Sequence, residues 1–279
     1  MAVKNCILNK VNENILWKIL KTQQSSDLNS YLYRNSIKEP QYFYFYIVEI
    51  SVGNKVAVVI GASGLVGGHL LNYLLASPSY ARVVCLGRKK IDVSSPKLKQ
   101  HKINFDKYGS YAPLLKGDDL FIAIGTTIAK AGSKEAFRKV DYSYAINIAK
   151  AAADNGMNQL LLVSSVGADT DSLFFYSRVK GELEEAVMKL KFWSIHIFRP
   201  SILLGERPES RVGESVAKVI GKGLDFVLRG LLTKYKPVEA ETVAKAMATK
   251  AQEIQAGIHI YPSHWIQKLS EKEESLRKV

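Results

Sequence analysis

Residues 55–67 read KVAVVIGASGLVG and carry the clearest indication of the fold. Its first six residues form a short apolar run rich in valine, which is typical of a strand buried on both faces of a parallel sheet. Glycines follow at Gly61, Gly64 and Gly67, and the apolar spacing over 69–75 predicts a helix directly after them. A strand, a glycine-rich turn and a helix in this order indicate a βαβ unit that binds the pyrophosphate of a dinucleotide. The alternative is a glycine-rich turn without a ligand.

Each glycine has its own steric role in such a unit. Gly61 allows a tight turn out of the strand, and Gly64 leaves room for a pyrophosphate because a Cβ there would intrude. Gly67 lets the helix pack close to the sheet. The first turn of the helix then offers free N–H groups and a partial positive charge to the phosphates.

Strands continue to alternate with helices as far as residue 199. The expected strands cover residues 81–86, 98–105, 119–124, 159–164 and 194–198, and the expected helices cover residues 133–155 and 177–191. This alternation predicts an α/β fold, a doubly wound parallel sheet of the Rossmann type with right-handed crossovers. Beyond about residue 200 the pattern weakens. Helices over 212–232 and 238–256 and a strand over 257–261 remain, and we expect them to form a small C-terminal substrate cap.

Residues 1–54 differ from the rest of the chain. They hold an apolar run at 15–20 that predicts a helix, and an aromatic run, YFYFY at 42–46, that is strand-like by propensity. We interpret residues 1–54 as an N-terminal extension, either disordered or added by a start assigned too far upstream. Residues 55–279 then form the NAD(P)-binding domain with its cap. The alternative is that the aromatic run is a dimerisation strand, which would make the protein a homodimer.

The composition of the 279-residue chain excludes several classes of protein. With 47% hydrophobic and 23% charged residues, the chain can bury a core. Only Cys6 and Cys85 are present, which excludes a disulfide framework and a four-cysteine zinc site and predicts a reducing, cytoplasmic location. No apolar run approaches the ~20 residues that a membrane helix needs. The five histidines lack metal-ligand spacing, so we expect no metal; His196, between Ile195 and Ile197, is typical of a core histidine.

The formal net charge is +13, from 39 Lys and Arg residues against 26 Asp and Glu residues. These basic residues are scattered along the chain, and the longest basic run is Arg88-Lys89-Lys90. Nucleic-acid binding proteins carry a clustered basic stripe instead. The charge therefore favours solubility and attraction of an anionic cofactor over binding to nucleic acid.

The same basic run indicates which cofactor binds. NAD-binding sheets often place an Asp or Glu at the end of the second strand, where it bonds the ribose 2′-hydroxyl. This chain has Arg88 and Lys89 there and no acid before Asp92. Arg88 can meet a 2′-phosphate with a fork of donors, and Lys89 adds charge, so we expect NADP rather than NAD. The alternative is a basic surface loop without a ligand.

A second motif, Y-x-x-x-K, runs from Tyr176 to Lys180. Residues i and i+4 lie on one face of a helix, and a lysine ammonium beside a tyrosine lowers the pKa of the phenol. Such a tyrosine can exchange a proton with a substrate hydroxyl or carbonyl near neutral pH. The motif follows a strand that ends in Ser164 and Ser165, and a serine there can hydrogen-bond the reacting oxygen.

In their order along the chain, these motifs resemble the short-chain dehydrogenase/reductase superfamily. Closer similarity, to the Tat-interacting-protein branch of its atypical members and its bacterial relatives, lies in the segments GTT at 125–127, EAFRKVD at 135–141, SSVGA at 164–168 and RPSILLGER at 199–207. The resemblance covers residues 55–265.

The resemblance implies roles for the matched residues. Tyr176 would be the general acid/base, Lys180 would hold the nicotinamide ribose, and Ser165 would orient the substrate oxygen, with Ser164 as the next candidate. The residues expected to bind the cofactor are Gly61, Ser63, Gly64, Leu65, Val66, Gly67, Arg88, Lys89, Gly125, Thr126, Thr127, Lys180 and Arg199.

Two features depart from the superfamily pattern. Asp141 stands where many members carry an Asn, which puts a proton relay through that Asn in doubt, and the substrate region is too short for a sugar-nucleotide clamp. We interpret the protein as an NADP(H)-dependent oxidoreductase of a small carbonyl or alcohol whose identity the sequence does not reveal. The alternative is an NADP(H)-binding sensor or regulatory protein with little or no catalysis. Asp141 favours the sensor, whereas the intact pair of Tyr176 and Lys180 favours the enzyme.

Overall fold

The computed structural model describes residues 54–205, 236–253 and 255–277. Seven parallel strands form one sheet, and two short strands pair separately. In chain order the strands are β1 (Lys55–Ile60), β2 (Tyr80–Gly87), β3 (Leu98–Lys102), β4 (Asp119–Ile122), β5 (Gln159–Val163), β6 (Ser194–Arg199), β7 (Leu203–Leu204), β8 (Val238–Glu239) and β9 (Gly257–Pro262). The order across the large sheet is β3-β2-β1-β4-β5-β6-β9, and β7 pairs with β8.

Helices cover both faces of this sheet. They are α1 (Leu65–Ala76), α2 (Tyr108–Tyr111), α3 (Ile128–Ala131), α4 (Lys134–Arg138), α5 (Ala145–Asp154), α6 (Phe175–Met188), α7 (Ala240–Lys250) and α8 (Ser263–Arg277), with a 3₁₀ turn at Ala112–Leu114 and a π-helical turn at Lys139–Tyr144. None of the helices in the described part of the chain has both the length and the apolar character needed to cross a bilayer.

Alternate residues of β1 pack into the two helical layers. Val58 belongs to the buried cluster formed with α5 and α6, and Val59 belongs to the cluster formed with α1 and α7. Both side chains are fully buried. This burial on two faces explains why β1 is an unbroken apolar run, since a strand with one wet face would alternate with polar residues. The predicted Rossmann fold is therefore confirmed.

The strand order reverses beside β1, and this reversal positions the site. β1 pairs with β2 on one side and with β4 on the other. From β1 the chain adds β2 and β3 on the first side, then crosses back to add β4, β5 and β6 on the second. The segments that follow β1 and β4 therefore diverge at the carboxyl edge of the sheet. Ligands of doubly wound sheets bind in the crevice that this divergence opens.

Several predicted boundaries need correction. The helix expected over 133–155 is three consecutive pieces, α4, the π-helical turn and α5. The helix expected from 177 begins at Phe175 and ends at Met188, so Tyr176 lies in its first turn. The third and fourth strands end at Lys102 and Ile122, earlier than expected. Apolar residues continue beyond both strand ends, which is why periodicity alone overextends them.

The region after residue 200 contributes to the main fold more than we expected. β9 joins the sheet beside β6, and α7 packs against α1. The helix expected over 238–256 is α7, preceded by the two-residue strand β8, and α8 was not anticipated. β9 and α7 are therefore part of the main sheet and its helical layer, and a substrate cap formed by the remaining C-terminal residues stays a prediction. The helices predicted over 15–20 and 212–232 and the strand-like run at 42–46 lie outside the described residues.

Candidate active site

The glycine loop leaves no room for side chains at two of its positions. Gly61 has φ +95°, and a Cβ on it would lie 2.6 Å from the carbonyl oxygen of Ala123, just beyond β4. A Cβ on Gly67 would lie 2.0 Å from the Gly61 carbonyl oxygen. Both contacts are with backbone atoms, which cannot turn aside. The loop, the end of β4 and the start of α1 are therefore as close as backbones can approach.

The first turn of α1 is open to an anion. Gly64 is its N-cap and supplies no side-chain hydrogen bond, and the first turn carries no acidic residue. The N–H groups of such a turn have no partner within the helix, and the helix dipole adds a partial positive charge. Ser63 is exposed beside it, Leu65 is half-buried and Val66 is buried. The geometry thus fits a pyrophosphate at the backbone of the loop.

A cleft extends from this loop to the end of β2. It is lined by Gly61, Ala62, Ser63, Cys85, Leu86, Gly87, Lys89, Ile91, Gln100 and His101. Lys89 brings a positive charge to the cleft, and no carboxylate of the described residues lines it. Arg88 is exposed beside it and is not one of the lining residues. Burial raises the pKa of the Cys85 thiol to about 12, so this thiol stays protonated.

Gln100 and His101 of β3 were not anticipated in the cleft. Their position follows from strand pairing, because His101 lies beside Leu86 in the parallel register of β2 and β3. The Gln100 side-chain amide accepts a hydrogen bond from the Ile91 N–H at 2.9 Å and donates one to the Ile91 carbonyl at 3.0 Å. Gln100 therefore holds the loop after β2 in place. The sequence could have indicated this position, because few residues separate β2 from β3 along the chain and such strands commonly pair side by side.

Tyr176 and Lys180 lie on α6, at the other end of the crevice. Tyr176 is half-buried, and its ring packs against that of Phe137, with 5.3 Å between the ring centroids. Lys180 is 4% exposed. Its Nζ lies 3.9 Å from the place that a Cβ on Gly125 would occupy. The motif is thus next to the segment that follows β4.

Asp141 joins this site from the π-helical turn. Its Oδ1 lies 2.7 Å from Lys180 Nζ, and its Oδ2 accepts a hydrogen bond from the Thr126 N–H at 2.8 Å. Burial alone would lower the pKa of the Lys180 ammonium, but the negative groups around it, with Asp141 first, outweigh burial and raise that pKa. Thr127 caps the next helix by accepting a hydrogen bond from the Lys130 N–H. The structure therefore brings Gly125 and Thr126 to Lys180 through Asp141, whereas Thr127 caps the helix that follows.

The two serines at the end of β5 have different surroundings. Ser164 is buried, and its hydroxyl donates to the Glu184 carboxylate in a short contact. Ser165 is half-buried, and its hydroxyl donates a long hydrogen bond, 3.3 Å, to the Val166 carbonyl. Ser164 is engaged inside the protein, which leaves Ser165 as the better placed of the two for a substrate.

Arg199 is held by the same carboxylate. Its Nε lies 3.1 and 3.0 Å from the two carboxylate oxygens of Glu184, and Glu184 is 1% exposed. This bidentate pair neutralises a buried charge between α6 and β6. The structure therefore gives Arg199 an ion-pair partner inside the protein, and its expected contact with the cofactor stays a prediction. Within the described residues, no group of three or more His, Cys, Asp or Glu side chains is placed to hold a metal ion.

The comparison with protein families agrees with this geometry. A family model described as NAD(P)H-binding matches residues 61–201, which include the glycine loop, Asp141, Tyr176 and Lys180. The chain belongs to this NAD(P)H-binding family.

Proteins with similar sequences come from fungi and from the rat. Protein FMP52 of Candida albicans is 38% identical over 201 residues, which are 70% of this chain and 86% of FMP52. Protein HTATIP2 of Rattus norvegicus is 38% identical over 174 residues, which are 61% of this chain and 72% of HTATIP2. The expected resemblance to the Tat-interacting-protein branch is confirmed.

Solved structures of enzymes with bound NAD share the fold. The dTDP-glucose 4,6-dehydratase DesIV of Streptomyces venezuelae, solved with NAD and TYD bound, superposes with a TM-score of 0.57 over 79% of this chain and 81% of DesIV. The two sequences are 16% identical, so this likeness shows the Rossmann architecture alone.

The expectation of a cytoplasmic location is wrong. FMP52 of Candida albicans and its counterparts in Emericella nidulans and Coccidioides immitis are named as mitochondrial proteins. A low cysteine count excludes a disulfide framework, but it does not separate the cytoplasm from other compartments that keep thiols reduced. The cysteine count therefore indicates a reducing compartment but does not identify which one.

Proposed function

We propose that the protein is an NADP(H)-dependent oxidoreductase that acts on a carbonyl or alcohol group of a small molecule. The observation that carries this proposal is the position of Lys180 and Tyr176 at the crevice. Lys180 Nζ lies beside Gly125 after β4, and Gly61 after β1 touches the backbone of the same β4 segment. Both observations concern the segment after β4, which supports a shared site for the proton-transfer motif and the glycine loop where the strands diverge and such sheets bind their ligands.

The chain supplies proton handling and binding, and NADP(H) supplies or accepts the hydride when bound. Tyr176 holds at its hydroxyl the proton that a substrate oxygen takes or releases. Lys180 brings a buried ammonium beside Tyr176 and offers N–H donors to ribose hydroxyls. Ser165 can exchange its long hydrogen bond to the Val166 carbonyl for one to the substrate oxygen.

The choice of NADP over NAD rests on charge at the end of β2. Lys89 lines the cleft and Arg88 is exposed beside it. A 2′-phosphate needs such cations, whereas a free 2′-hydroxyl is usually met by a carboxylate. No carboxylate among the described lining residues is available for that role. This composition supports NADP(H) as the cofactor.

A second function has one specific observation in its favour. Lys180 is paired with Asp141, and that carboxylate balances the charge that the ammonium would otherwise present to its surroundings. An enzyme uses the positive charge of Lys180 to lower the pKa of Tyr176, whereas a sensor that only binds NADP(H) does not require that charge to be free. The two functions differ in turnover and agree on cofactor binding.

One experiment separates these functions. Calorimetry first measures NADPH and NADH binding to the full chain, and NADPH oxidation is then followed by absorbance with a panel of small aldehydes, ketones and quinones. Binding with turnover of at least one carbonyl supports the oxidoreductase. Binding without turnover by any member favours the sensor, and absence of NADPH binding contradicts both.

We also propose a mitochondrial location, on the strength of the names of the fungal relatives. Fractionation of cells that express the full chain at its natural level tests this proposal. Recovery with a matrix or membrane marker of mitochondria supports it, and recovery with cytosolic markers contradicts it.

A further inference from the structure

Asp141 and Lys180 form a buried ion pair that the oxidoreductase proposal does not explain by itself. We infer that Asp141 is a positioning residue that holds the Lys180 ammonium in its cofactor-binding place and in its charged state. This inference rests on the proposed contact between Lys180 and NADP(H), and it assigns the residue that makes the contact possible.

The pair is almost fully buried. The side chain of Lys180 is 5% exposed and that of Asp141 is 1% exposed, with 2.7 Å between Nζ and Oδ1. A buried ammonium without a partner is costly and tends to lose its proton. The Asp141 carboxylate, in the π-helical turn, offsets this cost by pairing with the ammonium on α6.

Asp141 also connects three segments of the crevice. It sits in the π-helical turn, its Oδ1 meets Lys180 on α6, and its Oδ2 accepts the N–H of Thr126 after β4. A Cβ on Gly125 would lie 3.3 Å from Oδ1, so the carboxylate is tightly enclosed. Short π-helical turns inside α-helices occur frequently at functional sites. One carboxylate therefore fixes Lys180 relative to the segment that borders the cofactor.

The other charged groups around Lys180 do not replace Asp141. Tyr176 and Glu184 face it from its own helix, and the Asp141 carboxylate faces it from the π-helical turn. The charge of Glu184 is already shared with Arg199 of β6, and its Oε1 also accepts the Ser164 hydroxyl. Asp141 is thus the direct counter-charge of Lys180.

The test compares three variants of the full chain: Asp141→Asn, Asp141→Glu and, as a control, Asp106→Asn. Asp106 makes a matched pair with Lys139, also at 2.7 Å, but both side chains are about half exposed. Calorimetry measures the NADPH dissociation constant from pH 7 to pH 9.5. The 2′-phosphate is fully ionised across most of this range, so changes report on the protein.

We expect the unmutated protein and Asp106→Asn to bind NADPH with less than about threefold change across this range. Asp141→Asn leaves Lys180 buried without its counter-charge, so NADPH affinity should fall about tenfold between pH 7 and pH 9.5. A purely structural loss would weaken binding equally at every pH. The same pH profile in Asp141→Asn and in the unmutated protein overturns the inference.

Asp141→Glu keeps the charge but moves the carboxylate, and it keeps the inference testable if Asp141→Asn does not fold. We expect a flat pH profile and about tenfold weaker NADPH binding, because Lys180 is displaced. Unchanged NADPH affinity in this variant overturns the positioning role. All readouts are binding constants, so absence of turnover leaves the test intact, whereas failure of the cofactor assignment shows already as no NADPH binding by the unmutated protein.

Discussion

Gly67 lies against the carbonyl of Gly61 so closely that a Cβ on Gly67 would stand 2.0 Å from that oxygen. The contact joins the first turn of α1 to the turn out of β1. It is a backbone contact on both sides, so no side-chain movement can relieve a larger residue. The close approach that the glycine spacing suggested is therefore a steric requirement of the fold.

Gly67→Ala should destabilise the protein and weaken NADPH binding. Overpacking in well-packed regions costs about 1–3 kcal/mol or more, and here the backbone itself must move. Gly68→Ala is the matched control, because a Cβ there meets its nearest atom at 3.7 Å. This control should gain about 0.5–1 kcal/mol from helix propensity. Urea unfolding and NADPH calorimetry measure both variants, and equal stability of the two would contradict the account.

Lys89→Ala and Arg88→Ala should each reduce the preference for NADPH over NADH. A hydrogen bond to a charged group contributes about 1.5–3 kcal/mol, so the NADPH dissociation constant should rise at least tenfold while that of NADH barely changes. Lys90→Ala, at the next exposed cation of the same loop, which we do not expect to contact the 2′-phosphate, is the control. Equal NADPH and NADH affinities in the unmutated protein, by calorimetry, would rule out this basis for specificity.

Because His196 is buried, we predict that the protein loses stability as the pH falls. It is fully buried, with its Nε2 2.8 Å from the Ser194 hydroxyl and its Nδ1 3.0 Å from the Tyr261 hydroxyl. Burial first, and then the nearby His259 and Lys250 charges, lower the pKa of this imidazole to about 3. A histidine with a lowered pKa in the folded state contributes stability above pH ~6.5 that is lost as the pH falls toward the folded pKa.

The expected size follows from the pKa difference. Between pH 7.5 and pH 5 the free energy of unfolding should fall by about 2 kcal/mol more in the unmutated protein than in His196→Gln, at 1.36 kcal/mol per pKa unit. His69→Gln, at a partly exposed histidine of α1, should follow the unmutated protein. Urea unfolding at the two pH values measures the difference. An identical acid dependence in His196→Gln would show that the imidazole is not the group that titrates.

The architecture could be predicted from local patterns in the sequence. Lys55–Ile60 is apolar because both faces of β1 are buried, and the three glycines after it mark the turn by their spacing. His196, placed between two isoleucines, is a core histidine as the alternation predicted. Each of these features depends on neighbours within a few residues, which is the range over which periodicity is informative.

Features that depend on distant partners could not be predicted in this way. Asp141 and Lys180 are 39 positions apart, and their contact needs a π-helical turn that no propensity indicates. Ser164 and Ser165 lie on adjacent positions, so the choice between them depends on Glu184, which lies on α6. The partner of Arg199 is the same Glu184. In each case the partner of a buried polar or charged group lies on a different element, so it becomes visible only in the packed structure.

If Tyr176 holds the proton of a reaction carried out with NADPH, removal of its hydroxyl must slow that reaction. Tyr176→Phe keeps the ring that packs on Phe137 and removes only the hydroxyl. With a carbonyl that the unmutated protein reduces, we predict that Tyr176→Phe lowers the rate of NADPH oxidation by about 10²–10⁴. Calorimetry should show its NADPH affinity nearly unchanged. Full activity of Tyr176→Phe on that carbonyl would contradict the account.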